Sequence, residues 1–321
     1  MNYTVWFVVP CYNEEEVLPT TAGVLKDKLD ELLKKQYISA DSRVLFVDDG
    51  SKDKTWEIIA QLHGEDARMT GIKLAHNRGH QNALMAGMMY AKGRCDCMIS
   101  LDADLQDDIG VFDQFIEKYD EGCEVVYGVR KARKKDSFFK RTTARMFYKF
   151  MNFAGAEVVY DHADYRLLGS KALEALEDYN EVNLFLRGIV PMIGYRSDVV
   201  EYERGERFAG ESKYPLKKML AFALEGITSL SVKPLRLITG LGFLIFVVSI
   251  IMIIYNIVQW AIGHTVAGWA SLSCSVWFIG GLILLALGVV GEYTGKIYME
   301  SKERPRFIIR EVLEESDEEA V

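Results

Sequence analysis

Along the N-terminal part of the chain, short and nearly continuous apolar runs alternate with stretches whose apolar residues recur at helical spacing. Thr4–Pro10 (TVWFVVP), Arg43–Val47 (RVLFV), Gly71–Leu74, Cys95–Leu101 and Glu124–Tyr127 have the length of buried strands. Glu14–Leu33, Thr55–Leu62, Gln81–Tyr90 and Val111–Tyr119 fit helices between them. Strand and helix in alternation predict an α/β domain with a mainly parallel sheet covered on both faces.

Further on the pattern changes. Leu237–Trp260 and Trp269–Val290 contain no charged residue, and each exceeds the roughly 20 residues that cross a bilayer as a helix. Trp260 and Trp269 stand at neighbouring ends of the two runs, where interfacial aromatics belong. The Ala261–Gly268 linker has no Lys or Arg. By contrast, Lys213, Lys217, Lys218, Lys233 and Arg236 precede the first run, and Lys296, Lys302, Arg304, Arg306 and Arg310 follow the second. That bias predicts a membrane hairpin with both termini and the α/β domain on the cytoplasmic side. Just before it, Leu216, Met219, Leu220, Ala223, Leu224 and Ile227 form one apolar helical face. Such a face suits the membrane interface, although an ordinary packed helix has the same pattern. The N-terminus (MNYTVWFVVPCYNEEE) lacks the basic start of a signal peptide. The expected organisation is an α/β domain over 1–212, a juxtamembrane segment over 213–235, the hairpin over 236–292 and a cytoplasmic C-terminal segment over 293–321.

The formal charge of −8 is concentrated at one end. Beyond Arg310 come Glu311, Glu314, Glu315, Asp317, Glu318 and Glu319 with no base, and without them the body is nearly neutral. This end reads as a disordered, solvating tail, and nothing in the charge points to nucleic acid. Among the cysteines, Cys95 and Cys97 alternate in a strand pattern and Cys274 falls in an apolar run. Their spacing is not that of a zinc site, so packing is the reading they support.

Three polar clusters fall at predicted strand ends, Pro10–Glu14, Asp48–Asp53 and Asp102–Asp108. In a parallel sheet these ends share one edge, where open α/β sheets bind ligands. Within SLDADLQDD (Ser100–Asp108), Asp102 and Asp104 are hard oxygen ligands suited to Mg²⁺ or Mn²⁺ shared with a substrate's phosphates. A merely solvated acidic loop is the alternative. There is no G-x-G-x-x-G after the first strand and no P-loop. A nucleotide here would be held by carboxylates, backbone amides and a metal.

PCYNEEE (Pro10–Glu16), VDDGSKDKT (Val47–Thr55) and DADLQDD (Asp102–Asp108) resemble the family-2 glycosyltransferases of the GT-A fold. HNRGHQNALMAG from His76, DYRLL from Asp164, RFAGESKY from Arg207, VKPLR from Val232 and GEYTGKIYMESKERP from Gly291 narrow the resemblance. They are similar to the polyprenyl-phosphate glycosyltransferases, relatives of bactoprenol glucosyltransferases and dolichol-phosphate mannose synthase. The resemblance extends to about Ile309, and the Q-x-x-R-W signature of processive synthases is absent. It implies a Rossmann-like GT-A domain followed by two transmembrane helices. It also implies inverting transfer of one hexose from a nucleotide-sugar donor to undecaprenyl or another polyprenyl phosphate at the cytoplasmic leaflet, with Mg²⁺ or Mn²⁺. UDP-glucose is the leading donor, with UDP-N-acetylglucosamine and GDP-mannose as alternatives. A homo-oligomer is left open. The rivals are a non-catalytic membrane scaffold and an enzyme with a water-soluble acceptor.

The resemblance also assigns roles. Asp104 becomes the first choice of metal ligand. Asp102 assists through the metal or the ribose, and Gln106 either faces the metal or is a polar loop residue. Pro10, Tyr12, Glu14 and Asp49 hold or shape the site of the nucleobase and ribose, while Asp48 equally suits a turn or cap. Arg78, before a helix, is placed for a phosphate or the base, and His80 orients the loop. Asp164 matches an acceptor-side position. A phosphate monoester with its second pKa of ~6 is already anionic at pH 7, so Asp164 is expected to position more than to deprotonate. Arg166 is either an acceptor contact or an ordinary surface ion pair. Arg207, Ser212 and Lys213 suit the diphosphate and the acceptor phosphate, with Gly205 and Gly210 allowing that loop to close. Arg236, at the membrane edge, is a further candidate for the lipid phosphate. The expected catalytic set is Asp104, Asp164, Arg207 and Lys213.

Overall fold

The computed structural model describes residues 1–131, 162–182, 184–203, 233–262 and 268–314. The chain forms two compact units, one of Met1–Tyr148, Glu157–Pro215 and Arg304–Val321, the other of Lys149–Ala156 and Leu216–Glu303.

In the first unit, β1 (Val5–Cys11), β2 (Arg43–Asp48), β3 (Met69–Leu74) and β4 (Cys97–Ser100) are joined through α1 (Leu18–Lys34), α2 (Thr55–Glu65) and α3 (His80–Ala91). There follow a 3₁₀ turn (Ile109–Val111), α4 (Phe112–Asp120), β5 (Val125–Arg130), β6 (His162–Gly169), α5 (Ser170–Glu177), α6 (Leu186–Met192) and β7 (Ser197–Tyr202). The sheet runs β7-β5-β6-β4-β1-β2-β3 and ends on β8 (Ile309–Leu313). The β4-β1-β2-β3 block is parallel, as the apolar runs predict. β6 runs antiparallel to both β4 and β5, and β8 antiparallel to β3, so the sheet is mixed at its flanks.

β1 is buried along its whole length, and its alternation divides two cores. Val5, Phe7 and Val9 face one side with Leu25 and Leu29 of α1, Ile59 of α2 and Phe112, Phe115 and Ile116 of α4. Trp6 and Val8 face the other with Leu84 and Met88 of α3, Leu173 and Leu176 of α5 and Ile189 of α6. α3 lies close against the sheet because Gly87 has no side chain. A Cβ there would come within 2.4 Å of Val8 Cγ1 and 2.8 Å of Val47 Cγ2.

α1 begins at Leu18 rather than Glu14, because Asn13 takes a left-handed backbone (φ 55°) and residues 14–17 turn before Pro19 enters the first helical turn. β6 escapes the apolar pattern altogether. Its interior carries Asp164 and Arg166 on one face, where they pair with each other. The larger correction concerns the C-terminal segment, expected to start at residue 293 and to carry Glu311 and Glu314 in a solvating tail, whose remaining acids Glu315, Asp317, Glu318 and Glu319 lie outside the described residues. The last apolar helix instead continues to Glu300, and the chain then rejoins the first unit. Glu311 accepts a hydrogen bond from Trp56 Nε1 at 3.0 Å, and Glu314 pairs with Arg94 at 2.5 Å and with the Tyr90 hydroxyl. These acids are ordered because β8 covers the edge of β3 and each finds a donor there.

The second unit contains α7 (Lys233–Ala261) and α8 (Trp269–Glu300). Each has a stretch long and apolar enough to cross a membrane, Leu235–Met252 and Phe278–Glu300, and neither stretch is buried within the chain. The amphipathic segment over 213–235 lies almost wholly outside the described residues.

Ending the chain after Ile308 removes the β8 ladder and the Trp56 and Arg94 partners, together worth about 2 kcal/mol. Thermal unfolding of the α/β unit is then expected about 4–8 °C lower. Calorimetry showing no shift would mean that β8 adds nothing to this edge.

Candidate functional site

The carboxyl ends of β4, β1 and β2 are neighbours in the sheet, so the three polar clusters meet at one edge. It is also the place where successive connections diverge, β1 to β2 one way and across to β4 the other. The antiparallel β6 adds a fourth contribution, because its first residues lie beside the last residues of β4. Ser100 is opposite Arg166, and the Ser100 hydroxyl donates to the Asp164 carbonyl at 2.5 Å. Asp164 thereby arrives next to the loop that carries Asp102.

The loops interlock through hydrogen bonds. Asn13 N–H donates to Ser51 Oγ at 3.0 Å, and Lys52 N–H donates to Asn13 Oδ1 at 2.9 Å. Glu14 N–H donates to Thr55 Oγ1 at 2.9 Å. Gly50 needs its freedom, because φ is 66° and a Cβ would lie within 2.9 Å of the His76–Asn77 backbone. Beside these loops an open hollow of about 490 Å³ is lined by Asn13, Glu14, Glu15, Glu16, Lys52 and Asp53. Pro10 is buried at the end of β1 and Tyr12 is exposed.

Asp48 is a turn residue, accepting from Ser51 N–H at 3.0 Å. Asp49 is buried, and its two oxygens accept from the backbone N–H groups of Arg78 and Gly79 at 2.7 and 2.8 Å. Burial raises its pKa, against the lowering effect of those two donors. Asp49 thus anchors the loop that presents the exposed Arg78, a scaffold role the sequence reading did not assign. Next to Gly79, His80 stands between two carboxylates, with Nε2 3.0 Å from Asp102 Oδ1 and Nδ1 4.0 Å from Asp164 Oδ2. Burial opposes its charge, but the hydrogen bond to Asp102 and the fields of Asp102 and Asp164 outweigh it and raise its pKa. His80 thus links the loop after β4 to the start of β6.

Asp164 is buried and gripped by two guanidiniums. Arg166 Nη2 lies 2.5 Å from Oδ1, and Arg187 reaches Oδ2 through Nη2 at 3.1 Å and Oδ1 through Nε at 3.4 Å. Burial would raise the pKa of this carboxyl, but Arg187, Arg166 and His80 hold it far below the usual carboxylate range. Arg166 corrects an expectation. It is fully buried, bonded to Asp164 and to the Leu186 carbonyl at 3.2 Å, so it is neither a surface ion pair nor placed to touch an acceptor.

Asp102 and Asp104 follow β4 in a loop tied down on both sides. Thr21 Oγ1 donates to the Ala103 carbonyl at 2.6 Å. Leu105 takes a left-handed φ of 50°, folding Gln106 back so that its backbone and side-chain N–H groups reach Asp104 at 3.2 and 2.8 Å. Farther along, buried Asp107 accepts from the Tyr202 hydroxyl and lies 3.4 Å from Arg130 Nη2. Among the described residues no three His, Cys, Asp or Glu side chains converge as a metal cage. The oxygen donors that this loop offers are the Asp102 and Asp104 carboxylates and the Gln106 amide. That composition suits Mg²⁺ or Mn²⁺, which complete their shells with phosphate oxygens and water.

Sequence reasoning missed Arg187 and the Asp107–Tyr202–Arg130 cluster. A lone charge inside the apolar run Phe185–Val190 was a usable signal for Arg187. The partners of Asp107 come from distant strands and left none. Arg236 belongs to the second unit and is exposed, and Arg207, Ser212 and Lys213 lie outside the described residues.

The profile of Glycosyl transferase family 2 matches residues 6–176, and that of the GtrB C-terminal hairpin matches residues 233–297. An uncharacterized glycosyltransferase of Bacillus subtilis (strain 168) is 57% identical over 302 residues, covering 94% of this chain and 90% of that protein. The bactoprenol glucosyl transferase of Shigella phage SfV is 39% identical over 305 residues, covering 94% and 97%. A prophage bactoprenol glucosyl transferase homolog of Escherichia coli (strain K12) is 38% identical over 307 residues, covering 95% and 98%.

The raised pKa of His80 means that its ion pair contributes stability fully below the unfolded imidazole value of ~6.5 and loses it as pH rises through the folded value. In metal-free protein, the His80 ring signals are expected to titrate above ~6.5 and to fall toward that value in Asp102→Asn. An NMR midpoint at or below it in the wild type would rule out the pair.

Proposed function

The chain belongs to glycosyl transferase family 2, and on that premise we propose that it transfers a single hexose, glucose first, from a UDP-sugar to undecaprenyl or another polyprenyl phosphate. The observation that carries this reading is the likeness to bactoprenol glucosyl transferases, which runs through both units of the chain. α7 and α8 support it physically. A helix that is apolar on all sides belongs in a protein core or a bilayer, and the apolar stretches of these two are not buried in the chain. We read them as a membrane hairpin that brings the enzyme to a lipid acceptor. The distribution of Lys and Arg favours the cytoplasmic face for the catalytic unit and both termini.

Asp102 and Asp104, with Gln106 alongside, are the residues to hold Mg²⁺ or Mn²⁺. That ion, when bound, offsets the charge growing on the diphosphate leaving group. The interlocked loops after β1 and β2, with Tyr12, Glu14 and the Asp49-anchored Arg78, form the donor side. Asp164 forms the acceptor side. The nucleophile is an oxygen of a phosphate that is anionic at neutral pH, so no proton has to be removed from it. A carboxyl held ionised by two guanidiniums is a weak proton acceptor, and its work is to position. Arg207, Ser212, Lys213 and Arg236 remain proposed contacts of the diphosphate and the lipid phosphate.

The test is transfer of radiolabelled sugar to undecaprenyl phosphate by the full chain in detergent, from UDP-glucose, UDP-N-acetylglucosamine and GDP-mannose in turn. Lipid-extractable label is expected from UDP-glucose, lost with chelator and reduced at least ~100-fold by Asp104→Asn. No label from any donor would overturn the reading in favour of a scaffold. In the same assay Asp164→Asn is expected to keep more than about a tenth of turnover, whereas a loss near a thousandfold would make Asp164 a true base.

A further inference from the structure

We propose that Arg187 is the group that binds the phosphomonoester of the acceptor, with Asp164 as its holder. The inference rests on the function proposed above and deepens it. Arg187 stands at the start of α6, which is pinned from two directions. Leu186 N–H donates to Gln81 Oε1 of α3 at 3.0 Å, and the Leu186 carbonyl accepts from Arg166 Nη1 at 3.2 Å. A guanidinium one residue along is thus carried on a fixed backbone, and the fork to Asp164 sets its plane.

The two arginines around Asp164 are not equivalent. Arg166 is fully buried, whereas the Arg187 side chain keeps 32% of its surface exposed. Arg166 supplies a short charge-assisted bond to the carboxylate from within the core. The partly exposed guanidinium of Arg187 is planar, a shape matched to phosphate oxygens. The location also fits an acceptor. From Asp102 through His80 and Asp164 to Arg187 the successive separations are 3.0, 4.0 and 3.1 Å. Arg187 is thus linked to Asp102, a carboxylate assigned to the donor's metal, through two intervening side chains.

The experiment compares wild type, Arg187→Ala and Arg187→Lys as full-length protein in detergent. Initial rates are measured against undecaprenyl phosphate at saturating donor, UDP binding with Mn²⁺ is measured by calorimetry, and thermal unfolding checks the fold. Arg187→Ala is expected to raise the acceptor KM at least tenfold, to leave the UDP Kd within about twofold, and to regain rate when millimolar guanidinium is added. Arg187→Lys is expected to fall between. Unchanged acceptor KM with weakened UDP binding would assign Arg187 to the donor diphosphate and overturn the proposal. Loss of kcat with a lowered melting point and no rescue would reduce it to a structural residue. A wild type that transfers nothing to the lipid phosphate would instead overturn the underlying function, and this inference with it.

Discussion

The pairing of Arg166 with Asp164 is the interaction on which the site's geometry depends. A guanidinium entirely removed from water is tolerable only with a carboxylate against it, and losing either partner would cost on the order of 3–5 kcal/mol. The two residues are separated by one position in β6, so the strand's alternation puts both on one face. That face is fixed by register, with Arg166 opposite Ser100 and Tyr127. A slip by one residue would turn both charges into the opposite core and is excluded by that cost. The consequence is local and chemical. Because β6 runs against β4, Asp164 is held at the edge where β4 releases Asp102 and Asp104.

Around that fixed point the remaining loops are rigid by mutual bonding. Asn13, Gly50 and Leu105 all take left-handed backbones, and each lies at the end of a strand that feeds the site. Side-chain bonds hold these loops: Asn13 Oδ1 accepts from Lys52 N–H of the neighbouring loop, and Asp104 accepts from Gln106 N–H within its own. Asp49 spends a buried carboxylate on the Arg78–Gly79 backbone, and that places both Arg78 and His80. Such preorganisation suits a reaction in which the catalyst mainly orients two anionic partners and stabilises charge. Acidic and basic groups alternate along the edge in the order Asp102, His80, Asp164, Arg187.

The chain leaves the first unit for its two apolar helices and comes back to it. Arg306 donates to the Tyr179 carbonyl at 2.8 Å, Phe307 and Ile309 pack against the core beside α3, and β8 then closes the edge of β3. The two apolar helices are thus inserted in the sequence between two parts of one folded unit.

The amino-acid sequence by itself determined the parallel block of the sheet and its four helices. Apolar continuity and helical spacing are local signals, and burial on both faces leaves little else for such runs to do. It also determined which polar clusters share one edge, since Pro10–Glu14, Asp48–Asp53 and Asp102–Asp108 lie at the ends of those parallel strands. The two long apolar helices were equally plain from charge and length. Only the tertiary structure decided the rest. β6 hides its strand character behind Asp164 and Arg166, whose polarity makes sense only once each is seen to neutralise the other. β8 reads as acidic tail until Trp56, Tyr90 and Arg94, more than two hundred residues earlier, supply donors to Glu311 and Glu314. Arg187 gains meaning from a carboxylate on another element. In each case the deciding partner is remote in the chain, and the energy of a buried charge depends on that partner rather than on its neighbours in sequence.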